Sequence, residues 1–89
     1  MAFIYRVHAV ERMFQRDISE GEVQDIVLLG EIIEEYIDDR PYPSFLSLGY
    51  VGTRAIHVVF AKDDKENYII ITAYEPDMTK WENDYKTRK

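Results

Sequence analysis

The stretch Phe45–Glu75, FLSLGYVGTRAIHVVFAKDDKENYIIITAYE, decides the fold. Its β-branched and aromatic residues fall into three runs, Phe45–Val51, Arg54–Ala61 and Tyr68–Glu75, each with the length and composition of a strand. Gly52-Thr53 is short enough for a tight hairpin loop between the first two. Asp63–Asn67 is a polar loop before the third, and Pro76 ends the sheet because it has no N–H to pair.

Working towards the N-terminus, Asp38–Ser44 is rich in turn formers, and Pro41 and Pro43 forbid regular pairing there. Residues 31–37 (Glu31 to Ile37) read as a further strand. Before it, Ser19 followed by Glu22 is a capping box, flanked by Ile18 and Val23 at the positions of a hydrophobic staple. That predicts a helix whose apolar stripe is Val23, Ile26 and Val27, with Gly30 at the C′ stop. A first helix is expected over about residues 8–16, burying Val7, Val10, Met13 and Phe14 and presenting His8, Arg12, Gln15 and Arg16 on its other arc. Phe3 to Val7 alternates as a short strand. Met78 to about Lys86, with Trp81 and Tyr85 four apart, predicts a short C-terminal helix.

The expected fold is therefore α+β, a single domain over residues 1–89. Two helices pack on one face of a four-stranded, mainly antiparallel sheet, in the order β-α-α-β-β-β-β. Pairing Val51 with Arg54 places His57 opposite Leu48, and pairing Ala61 with Tyr68 places it opposite Thr72. One sheet face then carries Phe45, Val51, Ile56, Val58, Phe60, Ile69 and Ile71, the natural core against the helices. The other carries Leu46, Leu48, Tyr50, His57, Val59, Ile70, Thr72 and Tyr74, and is mixed in character.

Composition narrows the function classes. At 46% hydrophobic and 31% charged residues the chain is an ordinary globular one. The net charge of -6 argues against general polyanion binding, which depends on Lys and Arg neutralising phosphates. The absence of cysteine removes disulfides, thiolate metal sites and thiol catalysis. No segment has the roughly 18 apolar residues of a membrane span, and Arg6 and His8 interrupt any signal-peptide core, so a cytoplasmic location is expected.

The charge is unevenly placed. Residues 17–39 hold nine acids (Asp17, Glu20, Glu22, Asp25, Glu31, Glu34, Glu35, Asp38 and Asp39) and no Lys or Arg. Residues 1–16 balance at +2, with Arg6, Arg12 and Arg16 against Glu11. The last ten residues also balance at +2 through Lys80, Lys86, Arg88 and Lys89. The acidic block reads as a solvated face or as a docking surface for a basic partner.

His8 and His57 are the only histidines, and histidine is the side chain best placed to move protons near neutral pH. His8 shares a helical face with Arg12, and His57 lies among the tyrosines of the mixed sheet face. Arg12 and Arg16 could hold a phosphate and steady charge developing on it. Such groups suffice for metal-independent RNA cleavage, in which the 2′-hydroxyl attacks the adjacent phosphate. Each of them also has an ordinary role as a helix-start, strand or surface residue. No metal-ligand spacing, Gly-rich phosphate loop or nucleophile elbow is present, and neither a metal nor a cofactor is expected.

Four segments together go further: HAVERMFQRDISEGEV (8–23), LGEIIEEYIDDRPYPSFLSLGY (29–50), AIHVVFA (55–61) and IITAYEPD (70–77). They resemble a family of small, mostly uncharacterised prokaryotic domains often encoded beside zinc-finger antitoxin-like proteins. The family looks like a distant branch of the RelE/ParE-like toxin superfamily, near BrnT- and MqsR-like ribonuclease toxins. The family pattern is matched by His8 and Arg12 on the first helix, Pro43-Ser44, the strand histidine His57, and Tyr74-Glu75-Pro76.

The resemblance implies a RelE-like fold and a toxin-like endoribonuclease acting on mRNA. His8, Arg12, His57 and Tyr74 would be catalytic, and Arg16, Tyr50 and Thr72 would bind substrate. It also implies an antitoxin-like partner of zinc-finger or helix-turn-helix type, with RNA engaged at a local site. Two further readings stand beside it: a non-catalytic module docking a basic partner through the acidic surface, and a homodimer formed through an exposed strand edge. The chain departs from RelE-like nucleases in its acidity and in having no lysine in residues 1–61.

Overall fold

The computed structural model describes residues 1–89. Its elements are β1 (Phe3–Tyr5), α1 (Val7–Gln15), α2 (Glu20–Leu29), β2 (Glu31–Tyr36), β3 (Ser44–Val51), β4 (Arg54–Lys62) and β5 (Tyr68–Tyr74). The α+β class and the order of elements are as expected. The sheet has five strands rather than four, ordered β1-β5-β4-β3-β2, and it is mixed, because β1 runs parallel to β5. The two helices carry the chain from β1 to β2 at the opposite edge, and the antiparallel meander β2-β3-β4-β5 brings it back until β5 lies beside β1 and runs the same way.

The capping box forms as the sequence predicts. Ser19 Oγ accepts from the Glu22 N–H at 3.1 Å, and Glu22 Oε1 accepts from the Ser19 N–H at 2.8 Å. Val23, Ile26 and Val27 are buried beneath α2. Gly30 closes the helix in an extended conformation, not a left-handed one. Its role is therefore close approach: a Cβ there would sit 2.5 Å from the Ile26 carbonyl oxygen and 2.6 Å from that of Leu48.

Three expectations are corrected. First, the buried residues of α1 are Ala9 and Met13. Val7, Val10 and Phe14 point outward instead, because small Ala9 lets the helix seat closely on β5 with its larger apolar residues turned away. Second, β4 and β5 pair Lys62 with Tyr68, one residue further out than expected, and a bulge at Ile71 shifts the register by one more residue beyond it, which returns Thr72 and Tyr74 to the face of His57. His57 therefore pairs with Tyr74 and Val59 with Thr72, and Ile70 joins the core against the helices.

Third, no helix forms after Pro76. Asp77 and Asp84 use their carboxylates to accept the N–H groups of Thr79, Lys86 and Thr87, holding turns where a helix would need its own ladder. The tail instead closes on itself through a Trp81–Arg88 bridge and packs Trp81 into the protein, leaving it 3% exposed.

The core joins Ala9, Met13, Val23 and Ile26 to Ile56, Val58, Phe60 and Ile70 between helices and sheet. Ser47 is buried there and donates to the Ile26 carbonyl at 3.0 Å, tying β3 to α2. No helix is long and apolar enough to cross a membrane.

Candidate functional site

Strand alternation sets out the side chains of the face opposite the helices. Glu31, Leu48, His57 and Tyr74 form one row across four strands, and Glu34, Leu46, Val59 and Thr72 form the next. A bulge between Ile32 and Glu34 brings both Glu31 and Glu34 to this side. The tail lies over these rows.

His57 is at the centre and is 0% exposed. Trp81 meets its ring edge-on with centroids 4.7 Å apart, and Tyr74 does so at 5.4 Å. His57 Nε2 lies 2.6 Å from the Tyr85 carbonyl oxygen, which can only accept, so Nε2 carries the proton. In the neutral ring Nδ1 then has a lone pair, and this buried atom has no hydrogen-bond partner. Burial pushes the imidazole below the ordinary histidine value, outweighing the Tyr85 carbonyl and the Glu34 charge, while Arg88 pushes the same way as burial.

Around it stands a charged frame. Arg88 grips Glu34 in a bidentate pair, Nε to Oε2 at 2.7 Å and Nη2 to Oε1 at 3.0 Å, and its guanidinium lies 4.4 Å from the Trp81 ring centroid. The Tyr36 hydroxyl also donates to Glu34. The Arg88 hydrogen bonds hold the Glu34 carboxyl below its usual range. Burial, reinforced by Glu34, pushes the Tyr36 hydroxyl up to about 12. Burial likewise raises Tyr74, which stays protonated at neutral pH. Lys86 reaches Glu31 at 3.4 Å. Part of the acidic block is thus neutralised by the chain's own basic tail.

The frame makes acid stability depend on His57. A depressed histidine takes up its proton in the unfolded chain first, so its contribution is complete above about pH 6.5 and is lost as pH falls below that. Glu34, itself depressed, loses its contribution only at lower pH, below the ordinary carboxylate range. Thermal melts from pH 7.5 to 5.0 should show a falling midpoint in the wild type and a flatter profile in His57→Leu. Equal slopes in the two would remove His57 as the cause.

The predicted site residues divide between the two sides of the sheet. His57, Tyr74 and Thr72 share the face covered by the tail, with Tyr50 exposed at its margin and edge-on to Tyr85 at 6.2 Å. His8, Arg12 and Arg16 belong to α1, on the other side. Arg16 ends that helix, and its carbonyl accepts from Arg54 Nη1 at 2.8 Å. The two histidines are therefore separated by the sheet.

Sequence reasoning missed Glu34, Tyr36, Trp81, Tyr85 and Arg88. The signal available was the +2 balance of the last ten residues set against the carboxylates of residues 31–39. No group of three or more His, Asp or Glu side chains is placed to hold a metal ion.

Fold and site together define a small α+β domain whose helix-free sheet face buries a neutral histidine under a C-terminal strap. The chain belongs to the family described as "Domain of unknown function (DUF4258)", which matches residues 5–75. No curated protein and no solved structure matches it significantly.

Proposed function

We propose that this chain is the toxin-like component of a toxin–antitoxin pair, related to the RelE-like ribonuclease toxins that its sequence resembles. In this reading it cleaves mRNA without a metal at the face beneath the tail. The observation that carries the reading is the unpartnered Nδ1 of His57. A buried ring nitrogen without a hydrogen-bond partner lowers stability by about 1–3 kcal/mol, which calls for a role that packing does not supply.

His57 takes the proton of the 2′-hydroxyl on whichever ring nitrogen is unprotonated once the tail has lifted, and the 2′-oxygen bonds to the adjacent phosphorus. The P–O5′ bond breaks, and the leaving oxygen takes a proton from the Tyr74 hydroxyl. Arg88, freed from Glu34, steadies the pentavalent phosphorus, while Tyr50 and Thr72 position the nucleotide. The tail lifts to admit RNA. His8, Arg12 and Arg16, across the sheet, take no part in this step.

Induction should arrest growth, and purified protein should cleave RNA with EDTA present. Tyr74→Phe, which keeps the packing, should slow cleavage about 100-fold or more. His57→Ala should abolish both arrest and cleavage. Intact RNA from folded protein, together with wild-type behaviour of His57→Ala in cells, would end the enzyme reading.

The second reading, a module that docks a basic partner, is favoured by a different observation. Glu31 and Glu34 are engaged by the tail, but Asp17, Glu20, Glu22 and Asp25 remain without a side-chain ion pair on the helix side.

A further inference from the structure

Helix α1 leaves Val7 76% exposed, Val10 52% and Phe14 89%. At spacings of three and four these form one stripe, not scattered single residues. The stripe lies on the flank of α1 opposite Arg12, by helical spacing. Two crevices border it and share Met13, Phe14 and Ile18 as their common wall. One, of about 310 Å³, adds Tyr5 and Val10 and carries Glu20 at its rim. The other, of about 740 Å³, carries Asp17 and Glu22. Its one cation, Arg54, is already spent on the Arg16 and Asp17 carbonyls and on Glu75. The surface is thus an apolar ridge and groove with an uncompensated carboxylate rim. That pattern complements a helix with one apolar face and basic flanks.

We infer that this α1–α2 groove docks a basic amphipathic helix of another protein. The inference narrows the partner-binding reading to three carboxylates, Asp17, Glu20 and Glu22, and three apolar side chains, and it is independent of RNA cleavage. A second copy of this chain is a poor occupant. Each copy carries -6, and self-docking would set two acidic rims against each other.

The probe is a fluorescein-labelled, Leu/Lys amphipathic helical peptide of about 15 residues, compared by anisotropy with a scrambled peptide of identical composition. The amphipathic peptide should bind about tenfold or more tighter than the scramble. Phe14→Ser should weaken it about tenfold, with circular dichroism unchanged, since Phe14 is surface-exposed. Glu20→Gln with Asp17→Asn should weaken it at low salt and flatten its salt dependence. Equal binding of the scramble, or indifference to Phe14→Ser in a folded protein, would overturn the inference. So would a dimer, seen by sedimentation without peptide, that Phe14→Ser dissociates. None of these outcomes depends on whether RNA is cleaved.

Discussion

Gly30→Ala should destabilise the fold by about 3 kcal/mol or more, an expected loss of about 12 °C or more in Tm for a chain of this size. The added Cβ would lie 2.5 Å from the Ile26 carbonyl oxygen, 2.6 Å from the Leu48 carbonyl oxygen and 2.8 Å from Ser47 Oγ. Two of these are main-chain atoms of elements packed together, so no side-chain rotation relieves the contact. Relief requires α2 to move off β3, which also strains the buried Ser47–Ile26 hydrogen bond. Total stability for a domain of this kind is about 5–15 kcal/mol, so the loss is a large share of it. Gly21 is the control. It lies within α2 with only Ser19 Oγ near its would-be Cβ, at 3.9 Å, so Gly21→Ala should be neutral or stabilise by about 0.5–1 kcal/mol. Equal melting temperatures for the two variants would refute the close-approach account.

The second large effect is expected at Trp81. It is the only tryptophan, it is almost fully buried, and it contacts both His57 and Arg88. Trp81→Ala should cost about 3–5 kcal/mol. The exposed pairs of Lys86 with Glu31 and Arg88 with Glu34 are worth at most about 1 kcal/mol each, too little to hold the tail without the indole. The tail should then undock, and the Glu82 and Lys89 amides, bonded to Thr87 and Lys80, should lose exchange protection. If the proposed chemistry holds, the folded variant should also cleave RNA faster below its melting temperature, because His57 is uncovered. A variant with unchanged midpoint and a protected tail would show that the strap is held by something else.

The parts of this fold legible in the sequence are those governed by neighbours in the chain. The capping box needs only Ser19 and Glu22, three residues apart, and it forms as read. The hairpin register follows from the two-residue loop Gly52-Thr53, and His57 lies opposite Leu48 as that loop dictates. The second hairpin was less legible. A five-residue polar loop leaves the register free by one, and the bulge at Ile71 is decided by the packing of Ile70 against the helices. The α1 stripe failed for a related reason. Its periodicity is equally compatible with an inward and an outward face, and only the close seat of Ala9 on β5 decides between them.

For the candidate site, the chemistry of His57, Thr72 and Tyr74 on one face was legible, because β-alternation is local. Their burial was not. It depends on a tail that sequence alone reads as a short helix and that instead crosses the sheet to meet β2, 54 residues away at the Arg88–Glu34 pair. The sequence by itself determined the class, the order of elements and the two basic ends around an acidic middle. The tertiary structure decided which carboxylates are answered within the chain, which remain facing outward beside Phe14, and that the two histidines lie on opposite sides of the sheet. The physical reason is range. Capping, turns and alternation are set within a few residues, whereas side-chain burial and charge pairing are set by whichever distant segment the packed fold brings into contact.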